Sequence, residues 1–235
     1  MNDSSPVHIH YFTDVLCIWA YLAQIRLDEL IKNYSSKIDV TYHFMPVFGH
    51  TENRIGKGWK EKGGFDAFSK HMHKVIEEFP HVELHKDIWK KNTPKTSTTS
   101  HLFIKAVQCL VENGTISNEC REDCGQKTLL EEFIWEVRLA FFRDLRDISQ
   151  MSELFAIANS MGLPADKIQQ VLDDGSALAE LSRDIELKDE FNVDGSPTYI
   201  LNKGRQKLYG NVGYRIIEAN LLEIIKQPTM EASWC

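Results

Sequence analysis

No stretch of this chain approaches the roughly 20 consecutive apolar residues that a membrane-spanning helix needs, so no membrane association is expected. Basic residues are outnumbered, 27 Lys and Arg against 34 Asp and Glu for a formal charge of −7. That balance argues against nucleic acid as a partner, because phosphate-binding faces are basic. Cysteine is sparse. The five, at 17, 109, 120, 124 and 235, form an odd set without framework spacing, which excludes a disulfide-stapled scaffold and suits a compartment that keeps thiols reduced. The first residues have neither the basic start nor the apolar run of a secretory signal, so the expected location is cytoplasmic. There is no internal repeat or low-complexity tract, and more than a hundred central residues carry almost no strand signal.

What is present reads as α/β at both ends. Val7, Ile9 and Tyr11 alternate with His8, His10 and Phe12 before the pattern breaks at Thr13-Asp14. Ala23, Leu27, Leu30, Ile31 and Tyr34 then recur at helical spacing, and Ile38, Val40, Tyr42 and Phe44 alternate again. Strand, helix, strand in this order predicts a parallel pair with a right-handed crossover. Near the other end, a helix around 177–190 precedes the β-prone run Thr198 to Leu201, a hairpin signal at Asn202-Lys203-Gly204, and a short strand through Leu208 and Tyr209. An amphipathic helix on Ile217, Leu221, Ile224 and Ile225 follows.

The centre is helical. Phe65, Phe68, Met72, Val75, Ile76 and Phe79 form one stripe. Leu130, Ile134, Val137 and Phe141 form a second, and Leu154, Ile157, Ala158 and Met161 a third. Gly114 and Gly162 stand where helix ends are expected. The resulting division is a domain built from 1–50 and 176–235, interrupted by a helical insertion over 51–175.

Cys17 follows the first strand and opens the first helix. Unpaired N–H groups and the positive end of the helix dipole stabilise a thiolate there, and such placement can bring a cysteine pKa from about 8.5 to roughly 3.5–7.5. A free cysteine also serves commonly as a small buried apolar residue, and position alone leaves both readings open. The second notable segment is Asp194-Gly195-Ser196-Pro197-Thr198. There a proline opens a strand, and a cis Ser196–Pro197 bond would turn the backbone of Ser196 toward an extended ligand.

Taken together, Asp14-Val15-Leu16-Cys17-Ile18-Trp19, Gly195-Ser196-Pro197-Thr198-Tyr199 and Phe141 to Ser149 resemble the DsbA-like branch of the thioredoxin superfamily. Within it, the chain is similar to FrnE-type oxidoreductases, 2-hydroxychromene-2-carboxylate isomerases and kappa-class glutathione transferases. The resemblance implies a thioredoxin-like fold with an inserted all-helical domain. It also implies that Cys17 attacks, that Trp19 lines the cleft, that Pro197 is cis and faces Cys17, and that the Ser196 backbone holds the substrate thiol. Two departures matter. Ala20 stands where the oxidoreductases carry their second cysteine, so a mixed disulfide on Cys17 must be resolved by glutathione, a substrate thiol or another cysteine. The isomerase and transferase branches place serine where Cys17 stands, and a cysteine can bond covalently to glutathione where a serine cannot.

The leading expectation is a thiol–disulfide oxidoreductase acting through Cys17 alone, with glutathione as cosubstrate and no tightly bound cofactor. The alternative is a glutathione-dependent transferase or isomerase, and a third class is a binding protein that kept the fold and lost its chemistry. Relatives suggest a homodimer. Asn53 could correspond to the glutathione-contacting asparagine of the transferases.

Weaker signals have plainer explanations. Cys120 and Cys124 share a helical face only if their segment is helical; it reads as a polar connector. His71, His73, His81 and His85 look like a metal cluster by composition, but His71 and His73 flank the apolar stripe and would lie on a solvated helix face, and no metal site is expected. Gly56, Gly58, Gly63 and Gly64 lack the ending of a phosphate loop and suggest a flexible loop above the active site. Asp14 would oppose a nearby thiolate and more naturally organises its turn.

Overall fold

The computed structural model describes residues 6–119 and 127–226. The expected strand–helix–strand start forms as β1 (Val7–Thr13), α1 (Ile18–Tyr34) and β2 (Ile38–Phe44). β1 and β2 pair in parallel from Val7↔Ile38 to Thr13↔Phe44. The centre contains α2 (Gly64–Ile76), α3 (Thr98–Glu112), α4 (Leu129–Phe142), α5 (Met151–Ser160) and α6 (Ala165–Asp173). Then come α7 (Ser176–Glu190), β3 (Thr198–Leu201), β4 (Gln206–Tyr209) and α8 (Tyr214–Ile225). The fold is thioredoxin-like, a mixed sheet in the order β2-β1-β3-β4 with helices inserted between β2 and α7. β3 runs antiparallel to both β1 and β4.

Period-2 alternation separates two apolar layers. Ile9, Tyr11, Tyr42, Phe44, Tyr199 and Leu201 join the main core with Leu27 and Leu30 of α1. Phe12 and Ile200, on the opposite face, pack with Met45 and Val193 and with Leu187 and Phe191 from α7 and its C-terminal end. The β3–β4 turn places Asn202, Lys203 and Gly204 at φ 51°, 54° and 89°, a left-handed run in which Gly and Asn are favoured. Gly114 and Gly162, at φ 76° and 72°, close α3 and α5 as read from sequence. At the start of α4, Thr128 and Glu131 form a reciprocal capping box.

One expectation is corrected here. The glycine-bearing segment after β2 is an ordered pair of short turns, a π-helix over Glu52–Lys57 and a 3₁₀ turn over Lys60–Lys62. Buried Ile55 anchors it, and the Thr51 hydroxyl donates to the Pro94 carbonyl at 2.6 Å. A buried side chain and a long-range tether outweigh the flexibility that four glycines suggested.

Candidate active site

The turn after β1 delivers Cys17 as the N-cap residue of α1, with extended backbone at φ −80°, ψ 115°. Its N–H donates to the Asp14 carbonyl at 3.1 Å, and its carbonyl accepts from the Tyr21 N–H at 3.1 Å. The sulfur therefore sits at the helix N-terminus, as the spacing predicted. Across the cleft, the Sγ–H of Cys17 donates to the Ser196 carbonyl at 3.1 Å. The Ser196–Pro197 peptide is cis, and Ser196 Oγ accepts from the Asp14 N–H at 2.9 Å. Gly195 lies under Tyr209, where an added Cβ would fall 2.6 Å from a ring carbon.

Asp14 builds the turn, as expected, but with distant partners. Oδ1 accepts from the Leu16 N–H at 2.8 Å, and Oδ2 accepts from the Phe48 N–H at 2.8 Å and from Ser97 Oγ at 2.7 Å. The next peptide is held as well, since the Val15 N–H donates to His101 Nε2 at 3.2 Å. Phe48, Ser97 and His101 were not singled out in the sequence. Each belongs to or borders the helical centre, and no local spacing ties it to Cys17.

The thiol itself departs from expectation. Cys17 is only 4% exposed, and burial pushes its pKa up from the ordinary value. Hydrogen bonds from the Ala20 N–H, the Ser196 hydroxyl and the Trp19 N–H oppose the rise, while the Asp14 charge adds to it. The helix N-terminus is present, yet loss of water around the sulfur outweighs it. The predicted lowering of the pKa is therefore reversed, and Cys17 is a thiol at neutral pH in this conformation.

The other predicted residues are placed unequally. Trp19, 36% exposed, lies on the first turn of α1, and Ala20 is fully buried. Ser196 meets Cys17 through its carbonyl, and Pro197 follows across the cis bond. Asn53 sits exposed on the π-helix, its N–H donating to His50 Nδ1 at 3.3 Å. Cys120 and Cys124 lie outside the described residues. His73 and His81 contact separate backbone carbonyls, of Lys86 and Leu22, and His85 Nδ1 accepts from the Asp87 N–H. Among the described residues, no group of three His, Cys, Asp or Glu side chains is placed to hold a metal, and no helix is long and apolar enough to cross a membrane.

Comparison with known proteins follows the same lines. A DsbA-type domain model, the DSBA-like thioredoxin domain, matches residues 124–221. No curated protein matches the sequence. Among solved structures, a Nitrosomonas europaea protein described as a disulfide isomerase superposes with a TM-score of 0.68 at 16% identity, covering 95% of this chain and 98% of that one. A 2-hydroxychromene-2-carboxylate isomerase gives 0.62 at 15%, covering 94% and 97%. The cytosolic disulfide reductase DsbM of Pseudomonas aeruginosa gives 0.62 at 18%, covering 92% and 99%, and a second structure of it contains GSH. Residues 124–221 thus match a DSBA-like thioredoxin domain, and the thioredoxin-like fold is shared with these structures across nearly the whole length of the chain.

Proposed function

We propose that this protein is a cytoplasmic thiol–disulfide oxidoreductase that works through Cys17 alone and uses glutathione as its second thiol. The observation that carries this reading is the 3.1 Å contact between Cys17 Sγ and the Ser196 carbonyl. A disulfide approaching the loop at Pro197 would meet the sulfur there, and the N–H groups of Trp19 and Ala20 and the Ser196 hydroxyl would stabilise the thiolate once formed. Thiolate Cys17 attacks one sulfur of the substrate disulfide, forms a mixed disulfide and expels the other sulfur as a thiolate. Ala20 offers no internal thiol, so a glutathione thiolate attacks the substrate sulfur of that mixed disulfide. This step releases Cys17 and leaves the substrate glutathionylated. The GSH-containing structure of DsbM, a cytosolic reductase of the same fold, supports both the cosubstrate and the compartment.

A second reading is favoured by one specific feature, the raised pKa of Cys17. A protonated thiol can donate a hydrogen bond to a bound glutathione thiolate, the role serine would have in a transferase or isomerase. Intact-mass analysis after incubation with oxidised glutathione, comparing the native chain with Cys17→Ser, tests the first reading. An adduct confined to Cys17, with disulfide exchange lost in the variant, is the expected result. Exchange retained in Cys17→Ser would end the oxidoreductase reading, and glutathione-dependent turnover retained there would favour the second.

A further inference from the structure

We propose that His101 is a positioning residue for Cys17, a proton-dependent partner of Asp14 that supports the Cys17 thiolate when its imidazole is charged and withdraws that support when it is neutral. The inference rests on the thiol chemistry proposed above and adds a residue to it. His101 is fully buried near the start of α3. Its Nε2 lies 3.2 Å from the Val15 nitrogen and 3.6 Å from Asp14 Oδ1. One neighbour is a donor and the other an acceptor, so a single ring nitrogen serves only one of them at a time. Without a proton, Nε2 accepts from the Val15 N–H; with one, it faces the carboxylate. Nδ1 has no hydrogen-bond partner among the described residues, so no second bond locks the ring into either state.

Asp14 connects this choice to the sulfur. Its side chain is fully buried, and its charge opposes ionisation of Cys17. An imidazolium at His101 offsets that charge, and imidazole is the side chain that ordinarily gains a proton near neutrality. Lys105, one turn further along α3, does not fill this role, because its ammonium pairs with Asp184 of α7 at 2.8 Å. The other elements packed around the ring bring no charge to it. Phe44 of β2 lies against it with ring centroids 5.2 Å apart, and Pro46, with Leu181, Ser182 and Ile185 of α7, lines the same pocket as His101. Charge on His101 and charge on Cys17 therefore favour each other through Asp14. Acid that depletes the thiolate is partly countered by the proton it places on His101.

The test follows alkylation of Cys17 by iodoacetamide, read from the mass of its peptide, between pH 5 and pH 10 in the full-length chain and in His101→Gln. The glutamine carbonyl can still accept from the Val15 N–H but takes up no proton. At pH 5.5 the variant should react about tenfold more slowly than the native chain, the effect of removing one nearby unit charge at a partly screened site. At pH 9, where the native imidazole is neutral, the two rates should agree within about twofold. Placed in an Asp14→Asn background, His101→Gln should lose most of its effect at pH 5.5, because the carboxylate that carries the coupling is gone. Equal slowing at both pH values would mark a merely structural role and overturn the proposal, as would unchanged reactivity at pH 5.5 or a full effect retained in the double variant. Should Asp14→Asn fail to fold, the contrast between pH 5.5 and pH 9 in His101→Gln decides alone. A native Cys17 that reacts at no pH would instead sink the thiol reading itself, and this inference with it.

Discussion

Ser97 Oγ donates to Asp14 Oδ2 at 2.7 Å, and this bond spans 83 residues of sequence to join the start of α3 to the turn that presents Cys17. Both side chains are fully buried. Through it the inserted helices become part of the active-site framework rather than a lid placed over it. The Phe48 N–H, donating to the same oxygen at 2.8 Å, adds the segment after β2 to the arrangement.

Ser97→Ala should therefore destabilise the protein by about 1.5–3 kcal/mol, the usual contribution of a hydrogen bond to a charged group. Urea denaturation should show the loss as a lowered midpoint at unchanged slope. A change below about 0.5 kcal/mol would mean that water replaces the hydroxyl without cost.

Thiol reactivity should follow the raised pKa of Cys17. The rate of alkylation by iodoacetamide at Cys17 is expected to climb through pH 8 and keep rising past the ordinary cysteine value of about 8.5. The same shift sets the sign of a stability effect. The folded state retains its proton where the unfolded thiol has lost it, so the contribution of Cys17 is complete below the unfolded pKa and lost as pH rises through the folded one. In Cys17→Ser that alkaline loss should shrink. A modification rate that levels off below pH 8 would contradict the burial account.

Lys105 and Asp184 form a buried ion pair at 2.8 Å, with side chains 3% and 2% exposed. Asp184 also accepts from His43 Nδ1 and from the Phe44 N–H, each at 2.7 Å, so it fastens α7 to β2 while Lys105 fastens α3 to α7. Removing one member leaves a buried charge with fewer partners. Lys105→Met should cost roughly 3–5 kcal/mol, measurable by chemical denaturation. A neutral result would show that His43 and the Phe44 N–H suffice to hold Asp184.

Acid should act next to this network, at His10, whose Nδ1 lies 2.9 Å from His43 Nε2. Burial first, and then the neighbouring His8 and His43, lower the His10 pKa from 6.5 to about 4. The unfolded chain thus binds a proton that the folded chain refuses between those values. Stability from His10 is full above about pH 6.5 and is lost as pH falls toward 4. His10→Gln should flatten that part of the pH–stability curve. An unchanged slope between pH 4 and 6.5 would assign the acid sensitivity to other groups.

Much of the architecture was legible because backbone periodicity is local. The alternation from Val7 to Phe12 and from Ile38 to Phe44, the stripes that became α2, α4 and α5, and the left-handed turn at Asn202-Lys203-Gly204 all appear where their spacing placed them. The Gly49–Gly64 segment was misread because its order comes from Ile55 in the core and from Thr51 bound to Pro94, more than 40 residues away. Asn53, placed by analogy in a poorly matching stretch, sits on the exposed side of that turn.

By itself, the sequence determined the order of strands and helices, the placement of Cys17 at a helix start, the opposing Ser196–Pro197 segment and the missing second thiol at Ala20. The first two depend on repeat spacing and residue type within short windows, whereas the opposing segment and the missing thiol were implied by the resemblance to DsbA-like proteins. Only the tertiary structure decided the protonation of Cys17, because the water removed from its sulfur is displaced by side chains from the whole core. It also decided the company of Asp14, since Phe48 and Ser97 reach it across 34 and 83 residues. His101 is drawn to the same turn, its Nε2 meeting the Val15 N–H 86 residues away in sequence and 3.2 Å away in space.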